Sequence, residues 1–196
     1  MTASPRSSPP HRERLLAGLA EALRTQEYPT VTIADIVAHA QTSKRTFYEH
    51  FASRDECFVA LLRHSVAGMV TNIETAVDPD SEWPEQARQA IEALVLSVQA
   101  EPEVHLTWLR GAPSLGAEGR SLSRDGMTSF VAMIQSLADT PSLQAAGVPQ
   151  PSRQMAMVLV GGLRELIDSA LEDGANLHGI VDVATEATIL LLGPRS

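Results

Sequence analysis

Two short amphipathic helices in close succession are predicted between Thr32 and Phe51, and this feature constrains the fold of the chain most strongly. Thr32 can cap the first helix, whose apolar residues follow the spacing of one buried helix face. These apolar residues are Ile33, Ile36, Val37 and Ala40. Gln41 and Thr42 then leave room only for a tight turn before Ser43, which can cap the second helix. This spacing predicts a helix-turn-helix unit.

The second helix of this unit has two chemically different faces. Phe47 and Phe51, which are four residues apart, fall on one apolar face. The opposite face carries Lys44, Arg45 and Tyr48, and Lys44 is the only lysine in the chain. A short helix with one apolar and one cationic, hydroxyl-bearing face is suited to docking in the major groove of DNA.

Helices are also predicted on both sides of the unit. Upstream, the segment from Arg12 to Gln26 carries a stripe of leucines that can cover the back of the helix pair. Downstream, Ser53 can cap a helix whose first turn contains Asp55 and Glu56, and these acidic residues complement the helix dipole.

The run from Thr32 to Cys57 resembles the DNA-binding domain of the TetR (tetracycline repressor-like) family of transcriptional regulators, and the resemblance extends over residues 12–63. Two positions depart from the family pattern. Gln41 stands where a turn glycine is common, so a non-glycine residue is expected at positive φ. Cys57 stands where a larger aliphatic residue is usual, and a small buried hydrophobe can serve there.

The resemblance implies an all-α fold of about nine helices, which agrees with the helical patterns along the rest of the chain. It predicts a three-helix helix-turn-helix DNA-binding domain over 12–53 and a helical ligand-binding and dimerisation bundle over 54–196. Residues 1–11 are rich in serine and proline and have no apolar periodicity, so a flexible arm is expected there. In the bundle, a loop is expected from Thr140 to Pro151, followed by two last helices over residues 152–172 and 177–192.

Composition agrees with a helical, cytoplasmic protein. Hydrophobic residues make up 44% of the chain and aromatic residues only 4%, which suits helix bundles better than a β-sandwich. No signal peptide and no run of about 18 apolar residues is present, so no membrane association is expected. The single cysteine excludes an intrachain disulfide framework.

The net charge of −9 is unevenly distributed. Residues 1–65 contain eight Lys/Arg and seven Asp/Glu, whereas residues 66–196 contain seven and seventeen. The excess of acid therefore lies away from the predicted DNA-binding end.

Position in the motif assigns roles to the polar residues of the predicted DNA-binding domain. Lys44 and Arg45 are expected to reach base edges, where a cationic donor pairs with guanine acceptors, and Tyr48 to contact a phosphate or a thymine methyl group. The residues that match phosphate-binding positions of the family are Thr32, Thr46, His50 and Arg54. Local capping or solvation is the alternative role for Thr32, Thr46 and His50.

The predicted ligand site is less sharply defined. Its candidate residues are Met69, His105, Trp108, Met127, Phe130 and Met133. Methionine suits adaptable apolar pockets, although ordinary core packing explains these residues equally well. The low aromatic content favours a flexible apolar or amphipathic effector over a large flat one.

A homodimer interface is predicted on the last two helices. The first of them is apolar nearly all round, and Gly161 and Gly162 allow close backbone approach. The interface candidates are Val158, Gly161, Gly162, Leu166, Val183, Ala187 and Leu190. Two chains would then form a four-helix interface about a twofold axis. The alternative is a fully buried helix within one chain.

These patterns predict a DNA-binding transcriptional regulator that acts as a homodimer on an inverted-repeat operator. The resemblance implies in addition that it responds to a small molecule. Repression is the simpler expectation, because blocking a promoter needs only occupancy. No nucleophile-and-base set, metal-ligand spacing or phosphate loop is visible, so neither an enzyme nor a cofactor or metal site is predicted. The alternative is a helical adaptor that has lost DNA binding.

Overall fold

The structure is a computed structural model that describes residues 10–111 and 115–194. In these ranges all regular secondary structure is helical, and the prediction of an all-α fold is confirmed. The predicted arm lies mostly outside them, because residues 1–9 are not described. No helix in the described ranges combines the length and the apolar character needed to cross a membrane. The chain divides into two compact units between Leu62 and Arg63.

Unit 1 contains three short helices and the beginning of a long one. They are α1 (His11–Leu23), α2 (Ile33–His39), α3 (Lys44–His50) and the first part of α4 (Arg54–Ala76). The predicted extension of α1 to Gln26 is wrong. The hydroxyl and the backbone N–H of Thr25 both donate to the carbonyl of Ala22, which turns the chain out of the helix.

The starts of α2, α3 and α4 are fixed by the capping residues that the sequence predicted. The Thr32 hydroxyl accepts from the backbone N–H of Asp35, and the Asp35 carboxylate accepts from the backbone N–H of Thr32 in return. Ser43 accepts from the N–H of Thr46 at the start of α3. Ser53 accepts from the N–H of Glu56 in the first turn of α4. Capping residues of this kind typically stabilise a helix by about 1 kcal/mol each.

The core of unit 1 joins all of its helices. Leu15, Leu19, Ile36 and Phe47 have no solvent exposure, and α1 packs against both α2 and α3. A 3₁₀ turn over Tyr28–Thr30 connects α1 to α2. The α2–α3 pair is therefore held by apolar burial on the side that faces α1.

Unit 2 contains the rest of α4 and six further α-helices. They are α5 (Trp83–Ala100), α6 (Pro102–Gly111), α7 (Gly116–Ala138), α8 (Pro141–Ala145), α9 (Arg153–Glu172) and α10 (Val181–Leu192). The described residues thus form ten α-helices. The additional helix is α8, which lies in the stretch predicted as a loop. Thr140 caps it and Pro141 occupies its first turn, where proline is tolerated.

Two apolar clusters form the core of unit 2. One joins α5, α9 and α10 through residues such as Ile91, Ile167 and Val181. The other joins α4, α5 and α7 through Ile73, Ala93 and Met133. The last predicted helix begins as a 3₁₀ turn over Leu177–Ile180 before it continues as α10.

We predict that Gly18→Ala destabilises unit 1. A Cβ atom at Gly18 would lie 2.6 Å from the carbonyl oxygen of Ile36 and 2.8 Å from the backbone nitrogen of Ala40, so α1 and α2 would have to separate. Strain of this kind costs about 1 to 3 kcal/mol. Thermal unfolding followed by circular dichroism measures the loss.

Gly68→Ala is the matched control for this substitution. A Cβ atom at Gly68, within α4, would meet no atom within 4 Å. We expect this variant to be as stable as the natural chain or more stable by up to about 1 kcal/mol, because alanine favours the helix. Equal stability of the two variants would show that α1 and α2 do not depend on this close approach.

Candidate nucleic-acid interface

Helix α3 has the two faces that the sequence predicted. Phe47 has no exposure and Phe51 only 3%, so both rings lie in the core of unit 1. Lys44, Arg45 and Tyr48 are exposed, and Tyr48 has 59% of its surface accessible. One side of α3 is therefore anchored, while the other presents two cations and a phenol to solvent.

Local contacts orient the exposed side chains without blocking them. The Tyr48 ring packs edge-on against the Phe47 ring, with 5.6 Å between the ring centroids. The Nε atom of Arg45 donates to the carboxylate of Glu49 at 3.2 Å, and the Arg45 side chain remains 89% exposed. An exposed ion pair of this type contributes little to stability, so the guanidinium can exchange Glu49 for another acceptor at low cost.

The predicted phosphate-contacting residues differ in their freedom to bind. His50 is exposed. Thr46 is half-buried, and its hydroxyl shares a hydrogen bond with the Ser43 hydroxyl at 3.0 Å. The Thr32 hydroxyl donates to the carboxylate of Asp35 at 2.6 Å, and this bond lowers the pKa of Asp35 below its usual value. A phosphate contact through Thr32 would have to compete with Asp35, because the hydroxyl has only one proton to donate.

Arg54 is engaged within unit 1 to a degree that the sequence did not predict. Its Nη1 atom donates to the backbone carbonyls of Tyr28, Pro29 and Val31 at 3.1, 3.2 and 2.7 Å. Its guanidinium also lies over the Tyr28 ring, 4.4 Å from the centroid. Because these contacts use the guanidinium, they compete with the phosphate contact predicted for Arg54.

A second arginine, Arg14, was not identified from the sequence. Its Nε and Nη2 atoms donate to the carbonyl of Ala40 at 3.1 and 2.6 Å, and Nη2 also donates to the carbonyl of Gln41 at 2.5 Å. Gln41 has a φ of 50°, so the prediction of a left-handed non-glycine residue in the turn is confirmed. These contacts depend on how α1 crosses the turn between α2 and α3. The spacing of residues along the sequence therefore does not predict them.

Cys57 is a buried residue of unit 1. Burial raises the pKa of its thiol to about 12, so the thiol stays protonated at neutral pH. The expectation of a small buried hydrophobe at this position is confirmed by its lack of exposure. Among residues 10–111 and 115–194, no group of three or more His, Cys, Asp or Glu side chains has the arrangement needed to hold a metal ion.

The residues predicted to bind a ligand do not all share one environment in unit 2. Met133 is buried in the cluster of α4, α5 and α7, with Phe130 packed beside it. Met69 packs against the cluster of α5, α9 and α10. Trp108 and Met127 are half-buried on α6 and α7.

His105, the polar member of this set, contacts a helix that the sequence did not connect to it. Its Nε2 atom lies 3.3 Å from a carboxylate oxygen of Asp168 on α9, and both side chains are mostly buried. Arg164 lies 3.9 Å from the other oxygen of the same carboxylate. An imidazole beside a carboxylate is a polar group that can orient a ligand in an otherwise apolar region.

An apolar surface runs over α9 and α10, where the dimer interface was predicted. Val158 is 60% exposed, Val183 50% and Leu190 77%, and Leu166 is exposed as well. Cβ atoms built at Gly161 and Gly162 would meet nothing within 4 Å, and Ala187 is half-buried. Within a single chain α9 is therefore not fully buried, which disfavours the alternative of an internal helix.

Comparison with known proteins identifies a family match in unit 1. Residues 15–61 match the family described as bacterial regulatory proteins, tetR family. An uncharacterised HTH-type transcriptional regulator of Bacillus subtilis (strain 168), YxbF, is 28% identical over 80 residues, which cover 41% of this chain. The matched segment spans only 21% of the length of YxbF.

Solved structures with the same fold extend the similarity over nearly the whole chain. The reduced form of Escherichia coli NemR superposes with a TM-score of 0.74 at 14% identity and covers 95% of this chain and 100% of its own. The transcriptional regulator FadR from Bacillus subtilis, solved in complex with stearoyl-CoA, superposes with a TM-score of 0.74 at 11% identity, covering 94% of this chain and 99% of its own. At these identities the likeness establishes the fold.

Proposed function

We propose that this chain, whose residues 15–61 match the tetR family of bacterial regulatory proteins, is a sequence-specific DNA-binding transcriptional regulator. The observation that carries the proposal is the exposed surface of α3, where Lys44, Arg45 and Tyr48 are accessible to solvent while Phe47 on the same helix is fully buried. A cationic face on a rigidly anchored short helix is what insertion into the major groove requires. It also favours DNA binding over the adaptor alternative, which has no use for this face.

Lys44 and Arg45 are proposed to read base edges. Guanine presents two acceptors, N7 and O6, in the major groove, and a cationic side chain that donates to both distinguishes it from the other bases. Tyr48 offers its hydroxyl to a phosphate or its ring to a thymine methyl group. Thr46 and His50 lie on the same short helix and are proposed to contact phosphates, which fix the register of the helix in the groove.

The functional unit is proposed to be a homodimer formed through α9 and α10. Support comes from the distribution of exposed apolar side chains, because five of the seven large hydrophobic residues that are exposed in the described ranges lie on α9 and α10. A twofold dimer presents two α3 helices, so the operator is expected to be an inverted repeat. Its half-sites should lie about one helical turn, roughly 34–36 Å, or a multiple of it apart.

A small-molecule effector is proposed to release the protein from its operator. Release requires that the effector bind the DNA-incompetent arrangement of the protein more tightly than the DNA-competent one. A coupling free energy of about 1 to 3 kcal/mol between the two sites changes DNA affinity roughly 5- to 150-fold. The stearoyl-CoA bound to B. subtilis FadR is an amphipathic molecule with a long alkyl chain, and this fold likeness supports an effector of that kind here. On this proposal the protein is a cytoplasmic repressor.

We predict that Lys44→Ala and Arg45→Ala each weaken binding to a specific duplex by about 1 to 3 kcal/mol, because each removes a base contact. The duplex is first selected from a random-sequence library by the natural chain. Fluorescence anisotropy then measures its affinity and that of a random duplex at several salt concentrations. Arg120→Ala, which removes an exposed arginine of α7, is the control and should leave the specific affinity unchanged.

The ratio of specific to random affinity decides this assignment. Base contacts require that the ratio fall for Lys44→Ala and Arg45→Ala. Equal losses on both duplexes would contradict base reading and leave these cations a purely electrostatic role. Failure of the natural chain to enrich any duplex would instead favour the adaptor alternative.

We predict that Gly161→Leu shifts the protein from dimer to monomer and thereby weakens operator binding. A Cβ atom at Gly161 would meet nothing within 4 Å in the single chain, so the added leucine side chain is expected to clash with a second chain packed on α9. Light scattering should show a dimer of about twice 21.1 kDa for the natural chain and a smaller mass for the variant.

Gly68→Leu provides the matched control, because Gly68 also lies in a helix with open space around it but outside the proposed interface. It should leave the dimer intact. Both variants should remain folded by circular dichroism, since leucine is a better helix former than glycine. A Gly161→Leu protein that stays dimeric would exclude α9 as the interface.

A further inference from the structure

Two arginines bind the backbone on the two connections that flank α2. Arg14 reaches from α1 to the carbonyls of Ala40 and Gln41, which form the turn between α2 and α3. Arg54 reaches from α4 to three carbonyls of the connection between α1 and α2. Each guanidinium thus ties a connection to a neighbouring helix.

The contacts of Arg14 coincide with the one strained position of the described backbone outside glycine. Gln41 has a φ of 50°, a conformation that disfavours residues with a Cβ atom. Arg14 donates to the carbonyl of this residue and to the carbonyl of Ala40, the capping residue that follows the end of α2. A cation at the C-terminus of a helix is also favoured by the helix dipole. Arg14 therefore stabilises the turn in the conformation that sets the direction of α3.

Arg54 is held in place by a set of contacts that leaves its guanidinium little freedom. The guanidinium of Arg54 lies 4.4 Å from the centroid of the Tyr28 ring. The Phe58 ring stacks on the same Tyr28 ring, with 4.3 Å between the two centroids. The Tyr28 hydroxyl donates to the carboxylate of Asp55 at 2.5 Å. Burial and this hydrogen bond raise the pKa of Tyr28, so the hydroxyl remains a donor at neutral pH. The Arg54 side chain is accordingly only 29% exposed.

Because α2 and α3 are short, their orientation depends on these two connections. Each helix contains seven residues, which is too few for a helix to keep its shape or direction in water without support. Apolar burial anchors one side of each helix, but it does not by itself fix how each is rotated and tilted. Charge-assisted hydrogen bonds from a planar guanidinium are directional and supply that constraint.

We propose that Arg14 and Arg54 are positioning residues for DNA recognition, which fix α3 by bracing both ends of α2 and act without contacting DNA. For Arg54 this replaces the phosphate contact expected from the sequence. The proposal rests on the proposed function, because positioning matters here only if α3 reads DNA. It requires the fork geometry of arginine, and a lysine with the same charge cannot take its place.

The test compares the natural chain with Arg14→Lys and Arg54→Lys as full-length proteins. The probes are a duplex selected by the natural chain from a random-sequence library and a random duplex, both titrated at several salt concentrations. We expect each variant to bind the selected duplex about 5- to 30-fold more weakly, which is the effect of one or two lost interactions of ordinary strength. The affinity for the random duplex and the slope of log affinity against log salt concentration should stay unchanged, because lysine retains the positive charge of arginine.

A direct phosphate contact by Arg54 gives the opposite pattern. Lysine would then preserve affinity, and Arg54→Ala would lower the salt slope by about one unit and weaken both duplexes alike. That result would overturn the positioning role of Arg54. If Arg54→Lys does not fold, Arg54→Gln separates the two roles, because it removes the charge and the fork of the guanidinium together. On the positioning role it weakens the selected duplex alone and leaves the salt slope unchanged, and an equal loss on both duplexes with a lower salt slope would overturn that role.

Arg14 has a specific rescue variant. Gln41→Gly removes the backbone strain at the turn, so the double variant Arg14→Lys with Gln41→Gly should recover most of the affinity lost by Arg14→Lys. Absence of recovery would show that Arg14 does not act through this turn. Circular dichroism melts define a temperature at which every variant is folded, and binding is measured there. If the folded variants bind the selected duplex as tightly as the natural chain, the two arginines contribute only to stability, and the positioning role is overturned.

Failure of the positioning role is distinguishable from failure of the proposed function. If the natural chain enriches no duplex, both are overturned. If the natural chain enriches and binds a duplex, and Arg14→Lys and Arg54→Lys bind it as tightly, only the positioning role is overturned.

Discussion

The burial of Phe47 is the interaction on which the rest of unit 1 depends. Its ring has no solvent exposure, and its seven-residue helix packs against α1 and α2, whose Leu15, Leu19 and Ile36 are also fully buried. A helix of that length does not persist in water, so packing of this ring is what makes α3 a helix at all. Because Phe47 points inward, Arg45, two residues earlier, is turned away from the core, and Lys44 and Tyr48 lie exposed at the edges of the buried face. The position of the recognition surface therefore follows from the core.

Charge is arranged in accordance with this geometry. Four cations of unit 1 form two pairs with different roles. Lys44 and Arg45 are exposed and have at most a weak surface partner, whereas Arg14 and Arg54 donate to backbone carbonyls. The first group is free to meet an anionic ligand, and the second is used within the domain. The excess of acid in residues 66–196 would keep the rest of the chain from competing for DNA.

The sequence predicted what local patterns determine, and failed where the decisive contacts are long-range. The caps at Thr32, Ser43 and Ser53 and the two faces of α3 followed from residue type and spacing. The role of Arg54 did not, because its acceptors are backbone carbonyls more than twenty residues away, and a carbonyl carries no sequence signal. For the same reason Arg14 was missed. In unit 2, the candidate ligand residues share an apolar character that core packing produces equally well, so sequence alone could not separate the two.

Methylation interference on the selected duplex tests the central claim, that α3 reads bases in the major groove, most directly. Methyl groups at guanine N7 lie in the major groove, and those at adenine N3 lie in the minor groove. The account predicts interference at guanine N7 at two symmetry-related positions, about one helical turn or a multiple of it apart. It also predicts that Lys44→Ala or Arg45→Ala removes the interference at the guanine that each contacts. Interference confined to adenine N3, or none at either groove, would contradict recognition by α3.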